Sequence, residues 1–174
     1  MTTERTAAAS PTKLRVIVAD DHVVIRTGLA RILESRALAT VVASVGSGDD
    51  LVRVAFDPKT SADIVILDLG MPGGGIPLIE SLRTLRPSLR ILVYSINDEE
   101  EWTIRCLTAG ADGYVTKSAD VEELLEALRR IASGRRYVSP IVAEQLVNLV
   151  ATGVQSAADR PHVRLSNREM DVFS

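Results

Sequence analysis

The sequence predicts an α/β domain built on one open sheet of five parallel strands, with helices covering both faces. Short β-branched apolar runs alternate five times with longer stretches of helical period between residues 14 and 133, which is typical of βα units and a parallel sheet. The runs are apolar along their whole length, so both of their faces should be buried under helices. A doubly wound layer is therefore favoured over a sandwich of two sheets.

Each predicted element has a local reason in the sequence. In the first and third helices apolar residues recur at helical spacing, whereas the second, near residues 49–56, is weaker. Asn97 can cap the fourth helix, because Glu100 stands three residues later. Asp120 can cap the fifth in the same way, with Glu123 three residues later. The strands are the runs LRVIVA, TVVASV, DIVIL, ILVY and GYVT, which begin at Leu14, Thr40, Asp63, Ile91 and Gly113.

The chain divides into four predicted parts. Residues 1–13 are small and polar and predict a disordered leader, and residues 14–133 form the α/β domain. Gly134 ends the fifth helix, and Ser139-Pro140 can start another at about 139–151, inside a linker of residues 134–163. Residues 164–174 contain Ser166 and, three positions later, Glu169, which predicts a capped helix that opens a further domain.

Composition excludes several classes of protein. Twenty basic and 23 acidic side chains give a net charge of -3, so no overall field favours nucleic acid or an anionic membrane. Cys106 is the lone cysteine, which excludes an internal disulfide and fits a reducing compartment. Neither a signal peptide nor a run of about 18 apolar residues is present. We therefore expect a cytoplasmic protein with no membrane contact.

Polar or charged residues stand at the carboxyl ends of four predicted strands. Asp20 and Asp21 follow the first, Asp68 the third, Ser95 the fourth and Lys117 the fifth. Parallel strands end at one edge of a sheet, and ligands of such sheets bind in the crevice there, so we expect these side chains to share a pocket. Like charges this close repel unless a divalent cation held by oxygen ligands offsets them. The set predicts phosphoryl chemistry on an aspartate.

Asp68 is the residue best placed to accept a phosphoryl group. An aspartate becomes an acceptor when the developing charge is stabilised and the geometry is in line. Mg²⁺ needs about six oxygen ligands. We expect Asp21, Asp68 and the backbone carbonyl of Gly70 to supply the protein's share, with Asp20 acting through a water.

Each of these side chains also has a purely structural interpretation. Taken alone, Asp20 and Asp68 could be turn or cap residues, Ser95 a satisfied hydroxyl and Lys117 a solvated surface lysine. The coincidence of four strand ends favours the shared site. Within it, Lys117 would pair with a phosphate oxygen and Ser95 would donate a hydrogen bond to the same group.

Three further features are interpreted without a catalytic role. The run GMPGGG lacks the G-x-G-x-x-G order of a dinucleotide-binding turn. His22 and His162 have no ligand partner at helical spacing, and each is interpreted as a surface or capping residue. Trp102 is either a core residue or a partly exposed contact.

Together these motifs resemble the receiver domain of two-component response regulators, over about residues 14–131. The residues that carry the resemblance are Asp20-Asp21, Asp68 within DLGMPG, Ser95, and Lys117 within GADGYVTK. The resemblance implies that Asp68 is the phosphoacceptor, Asp20 and Asp21 the acidic Mg²⁺ pair, Ser95 the switch hydroxyl, Tyr114 the switch aromatic and Lys117 the phosphate-binding lysine. It also implies a flavodoxin-like sheet of order 2-1-3-4-5, followed here by the linker helix.

The last ten residues extend the resemblance. LSNREMDVFS is similar to the opening helix of LuxR/NarL-type helix-turn-helix domains, which implies a transcription factor. DNA contact is expected only through that further domain, and the 174 residues alone are not expected to bind a promoter specifically. The loop MPGGGIP is one residue shorter than is usual in the family, and its glycines suggest flexibility.

The resemblance implies a signalling protein and not an enzyme, apart from slow autodephosphorylation. A sensor histidine kinase or a small phosphodonor would phosphorylate Asp68, and the new charge would pull Ser95 inward and vacate space for Tyr114. Two receivers would then pair, through the fourth helix and fifth strand or through the first and fifth helices. One alternative is a receiver that acts as an interaction module without phosphorylation. A hydrolase of the haloacid dehalogenase type is disfavoured, because Gly70 stands where a second aspartate is expected.

Overall fold

Residues 13–153 are described by the structure, a computed structural model. The predicted leader, except for Lys13, the end of the predicted linker and the predicted start of a further domain at 164–174 lie outside the described residues. The strands are β1 Leu14–Ala19, β2 Ala39–Val45, β3 Ile64–Leu67, β4 Arg90–Ser95 and β5 Gly113–Thr116. They form one parallel sheet in the order β2-β1-β3-β4-β5, which confirms the prediction.

The strand register decides which residues meet at the carboxyl edge. Ala19 of β1 pairs with Leu67 of β3, so Asp20 and Asp68 leave neighbouring strands at the same level. Ser95 of β4 pairs with Thr116 of β5, which brings Lys117 to the same edge. The alignment arises from backbone hydrogen bonding between strands, and no single strand encodes it.

Helices cover both faces of the sheet, as predicted. Strand side chains alternate between the faces, so Val65 and Leu67 pack on one layer while Ile64 and Ile66 pack on the other. Burying one such side chain contributes about 1.5–3 kcal/mol. The first layer is α2 Gly48–Phe56, α3 Ile76–Leu85 and α4 Glu100–Ala109, and the second is α1 Val23–Ser35 and α5 Val121–Ala132.

Local signals fixed the start of one helix but not of another. The side chain of Asp120 accepts a hydrogen bond from the Glu123 backbone N–H at 2.8 Å, which confirms the predicted cap of α5. The predicted cap of α4 at Asn97 is wrong. The Asn97 side chain instead accepts from the Glu99 N–H at 2.9 Å, and the helix begins at Glu100. An asparagine side chain that bonds to backbone two residues on stabilises a turn as readily as a helix start.

The segment after α5 is part of the domain. Tyr137 pairs with Gly113 along the free edge of β5, where its N–H donates to the Asp112 carbonyl at 3.0 Å and its carbonyl accepts from the Tyr114 N–H at 3.1 Å. The predicted linker helix follows as α6, Pro140–Gly153, which packs against α4. None of the helices within residues 13–153 combines the length and the apolar character needed to cross a membrane.

Candidate functional site

Two buried carboxylates lie at the carboxyl edge of the sheet. Asp20 and Asp68 are 2% and 4% exposed. Their backbones continue the ladder, because the Asp68 N–H donates to the Ala19 carbonyl at 2.8 Å and the Asp20 N–H to the Val45 carbonyl at 3.0 Å. The sheet therefore holds both carboxylates in place, and burial makes their charges costly unless cations compensate them.

Lys117 supplies that compensation. Its ammonium nitrogen lies 2.6 Å from Asp20 Oδ2 and 3.1 Å from Asp68 Oδ2. Burial alone would lower the pKa of Lys117, but the contacts with Asp20 and Asp68 outweigh it and raise the pKa above 10.5. Burial would likewise raise the pKa of Asp20, yet the contacts with Lys117 and His22 lower it below 3.8. At neutral pH Lys117 is therefore protonated and Asp20 is ionised.

The donor set fits a hard divalent cation. Single ligand atoms from Asp20, Asp21, His22 and Asp68 all lie within 4.8 Å of one another, close to the separation of about 4.2 Å between opposite ligands of Mg²⁺. Asp20 Oδ2 is buried and accepts no hydrogen bond of normal geometry among the described residues, although the ammonium of Lys117 is nearby. The cluster holds three carboxylates and Lys117 contacts two of them, Asp20 and Asp68, so a second cation would reduce the remaining repulsion.

The residues around Asp68 shape its immediate surroundings. The Gly70 N–H donates to Asp68 Oδ1 at 3.2 Å. Gly70, whose carbonyl is a predicted Mg²⁺ ligand, therefore lies beside the acceptor carboxylate. The following turn closes with the Gly74 N–H on the Met71 carbonyl at 2.9 Å. The Gly48 N–H, at the start of α2, donates to the Pro72 carbonyl at 2.8 Å. The loop is thus tied down at both ends.

Close packing explains the glycines of this loop better than flexibility does. A Cβ at Gly74 would lie 2.6 Å from the Leu69 carbonyl oxygen, and one at Gly48 would collide with the Gly73 carbonyl. Gly75, at the N-cap of α3, has φ +95°, a conformation that favours glycine. These residues allow a short loop to run close to the backbone of α2.

Ser95 and Tyr114 lie on the neighbouring strands β4 and β5. Ser95 is 4% exposed and its Oγ accepts from the Asn97 N–H at 3.4 Å. Tyr114 is also buried, and its hydroxyl donates to the Asn97 carbonyl at 2.5 Å. The expectation was that Tyr114 moves into space vacated by Ser95. In this structure the ring already occupies an interior position.

Two residues beside the site were missed by sequence reasoning. His22 is 64% exposed and is the N-cap residue of α1, as expected, but its Nδ1 also lies 3.0 Å from Asp20 Oδ1 and 2.9 Å from Asp21 Oδ1, so it belongs to the cluster. Arg26, one turn into α1, donates to the Asp20 carbonyl at 2.5 Å and anchors the turn after β1. Their positions two and six residues after Asp20 were the available signal.

Comparison with known proteins agrees with this geometry. A family model described as response regulator receiver domain matches residues 16–129. The chain belongs to this family. The chain is also 34% identical to response regulator GacA of Pseudomonas aeruginosa over 160 residues, which are 91% of this chain and 73% of that protein.

Solved structures agree with the class that the last ten residues suggested. A LuxR-family two-component response regulator from Aurantimonas sp. has a TM-score of 0.72 and 34% identity, covering 80% of this chain and 99% of that one. RcsB of Salmonella enterica serovar Typhimurium, bound to promoter rprA in the presence of phosphomimetic BeF3-, has a TM-score of 0.70 and 29% identity, covering 80% and 70%. The chain is a two-component response regulator receiver of the LuxR/NarL class.

Proposed function

We propose that a sensor histidine kinase phosphorylates this receiver on Asp68 and that the aspartyl phosphate controls transcription through a further domain. The observation that carries the proposal is the position of the Lys117 ammonium, 2.6 Å from Asp20 and 3.1 Å from Asp68 at one edge of the sheet. The same ammonium that compensates the two buried carboxylates lies within reach of the acceptor Asp68. It is therefore placed to hold an oxygen of a phosphoryl group on that residue.

The transfer forms one bond and breaks another. An Asp68 carboxylate oxygen attacks phosphorus as the bond from phosphorus to the kinase histidine nitrogen breaks, and the electron pair returns to that nitrogen. Bound Mg²⁺, held by Asp21, Asp68 and the Gly70 carbonyl with Asp20 through a water, would offset the charge of the phosphoryl oxygens. Lys117 would exchange its contact with Asp68 for one of those oxygens.

The charge of the phosphoryl group on Asp68 would change the hydrogen bonds of the loop after β4. Ser95 would turn its hydroxyl to donate to a phosphoryl oxygen, and this rotation would move Oγ away from the Asn97 N–H from which it accepts. Tyr114 holds the Asn97 carbonyl from the other side. Phosphorylation would therefore move the Asn97 loop and with it the start of α4.

A homodimer would convert this change into DNA binding. Because α6 packs on α4, the α1 and α5 surface is the more accessible of the two predicted pairing faces. It presents Val24, 83% exposed, and the ion pair of Arg36 with Glu122 at 2.7 Å. RcsB, a structural neighbour, binds a promoter in the presence of a phosphomimetic. Pairing would raise the local concentration of two DNA-binding domains in the cytoplasm, where we place the protein.

Intact-mass measurement after incubation with acetyl phosphate and Mg²⁺ tests the proposal. We expect the chain to gain one phosphoryl group and Asp68→Asn to gain none. Asp63→Asn is the matched control. Asp63 lies at the amino end of β3, away from the site at the carboxyl end, so this substitution should leave phosphorylation intact. Phosphorylation that survives in Asp68→Asn, or no phosphorylation of the unaltered chain, contradicts the proposal.

The loop MPGGGIP beside Asp68, which is one residue shorter than is usual in the family, is the observation that favours the alternative, a receiver that acts as an interaction module without phosphorylation. Beryllofluoride mimics a phosphoryl group on the acceptor aspartate and separates the two functions. An Mg²⁺-dependent change in the amide spectrum around residues 95–100 supports the phosphorylated switch. A spectrum that does not respond supports the interaction module.

A further inference from the structure

His22 is held with its imidazole aimed into the acidic cluster. Its backbone N–H donates to Asp20 Oδ1 at 2.8 Å, which fixes the residue at the turn before α1. The ring nitrogen Nδ1 then lies 3.0 Å from the same oxygen and 2.9 Å from Asp21 Oδ1. No other imidazole lies in the cluster within residues 13–153.

Nδ1 occupies a position that a metal ligand could use. The donor atoms of His22, Asp20, Asp21 and Asp68 all lie within 4.8 Å of one another, so one ion could reach a nitrogen together with several carboxylate oxygens. Without a metal, a single N–H at Nδ1 faces two carboxylate oxygens and can bond well with only one of them. The imidazole is 64% exposed, so a small rotation towards an ion would meet little packing resistance.

The chemistry of nitrogen and oxygen ligands separates two groups of cations. Mg²⁺ prefers oxygen and usually keeps several waters. Imidazole binds more strongly to Co²⁺, Ni²⁺ and Zn²⁺ than to Mg²⁺. A nitrogen at the rim of three carboxylates would thus add affinity for the second group while contributing little to Mg²⁺.

We propose that His22 is a nitrogen ligand that lets the acidic site bind a transition-metal dication in competition with Mg²⁺. The inference rests on the metal site of the proposed function and adds a residue and a second class of ion to it. Occupancy would then depend on the relative concentrations of Mg²⁺ and the competing ion. His22 becomes a determinant of metal selectivity at the site where Asp68 reacts.

A competing explanation is that His22 only orients the two carboxylates by hydrogen bonding. The two roles differ in what a substitution does to each cation. An orienting residue supports every metal that uses Asp20 and Asp21, so its loss should weaken Mg²⁺ and Co²⁺ alike. A nitrogen ligand should matter for Co²⁺ and hardly for Mg²⁺.

Calorimetric titration of the full chain with Mg²⁺ and separately with Co²⁺ tests the assignment. His22→Asn keeps an N–H that can bond to the carboxylates, and His22→Ala removes every polar group. We expect both variants to weaken Co²⁺ binding about tenfold or more, and His22→Asn to leave the Mg²⁺ dissociation constant within about twofold. His162→Asn, the other histidine of the chain, is the matched control and should change neither titration.

A spectroscopic measurement gives a second readout. The Co²⁺-loaded chain should show a paramagnetically shifted imidazole proton resonance that His22→Asn abolishes and His162→Asn retains. Equal losses for Mg²⁺ and Co²⁺, or no loss for either, would overturn the assignment while leaving the Mg²⁺ site intact. If the unaltered chain binds Co²⁺ through His22 but does not bind Mg²⁺, the assignment stands and the proposed phosphorylation fails.

Discussion

The hydroxyl of Tyr114 donates a hydrogen bond to the backbone carbonyl of Asn97 at 2.5 Å. This contact joins β5 to the loop between β4 and α4. The N–H of the same Asn97 donates to Ser95 Oγ, so Ser95 and Tyr114 bind the two backbone polar groups of one residue. A shift of either is therefore transmitted to the other through Asn97.

Tyr114→Phe removes this hydrogen bond and keeps the ring. We expect the free energy of unfolding to fall by about 1 kcal/mol, the usual net contribution of such a bond, and amide exchange at residues 96–99 to accelerate. Urea unfolding and hydrogen exchange measure the two effects. Tyr94→Phe is the control, because the Tyr94 hydroxyl makes no hydrogen bond among the described residues, and equal effects of both substitutions would contradict the assignment.

Lys117→Met removes the cation between the two buried carboxylates. Breaking a buried ion pair leaves an uncompensated charge, so we expect the free energy of unfolding to fall by about 3 kcal/mol in the absence of metal. Mg²⁺ should restore part of the loss, since it places a new cation beside the same carboxylates. Phosphorylation by acetyl phosphate should also be lost.

Lys59→Met serves as the control for that experiment. Lys59 is exposed and takes part in no ion pair within residues 13–153. The stability and phosphorylation of the Lys59→Met variant should therefore match those of the unaltered chain. A Lys117→Met protein whose stability does not respond to Mg²⁺ would show that the carboxylates do not share a cation site.

Two glycine-to-alanine substitutions should have opposite effects. Gly48→Ala places a methyl group against the Gly73 carbonyl, so the loop beside Asp68 must move; we expect a loss of about 2 kcal/mol in the free energy of unfolding and slower phosphorylation. Gly28→Ala, inside α1, meets nothing within 4 Å and should stabilise the domain by about 0.5–1 kcal/mol. Urea unfolding of both variants checks the signs, and a stable Gly48→Ala would mean that the loop takes another path.

The three tyrosines predict a loss of stability at alkaline pH. Burial raises the pKa of Tyr114 to about 12, and burial together with Glu123 raises the pKa of Tyr137 to about 12. Burial also raises the pKa of Tyr94 above 10.0. Unfolding lets all three ionise near pH 10, so the stability they contribute is complete below pH 10 and is lost as the pH rises towards 12.

Phenolate absorbance of native and urea-unfolded protein measures this difference. We expect the unfolded chain to titrate near pH 10 and the native chain to remain protonated there. Tyr137→Phe should reduce the alkaline loss of unfolding free energy, because one of the shifted groups is gone. Native tyrosines that ionise with the unfolded chain would contradict the buried positions of Tyr114 and Tyr137.

The sequence by itself determined the order of strands and helices and the group of strand-end residues. β-branched runs, helical spacing and the Asp120 cap act over a few residues, so a local pattern was enough to predict them. Asp20, Asp68 and Lys117 could be predicted as neighbours because parallel strands share one carboxyl edge. Their distances required the register between β1 and β3, which backbone pairing alone specifies.

Only the tertiary structure decided the contacts that depend on side-chain direction and packing. It turned His22 into the acidic cluster, buried Tyr114 against the Asn97 loop, moved the start of α4 to Glu100 and paired Tyr137 with the edge of β5. Each of these depends on groups far apart in the chain competing for the same space or the same hydrogen-bond partner. Such competition is resolved when the layers pack together, and the spacing of residues along one element carries no record of it.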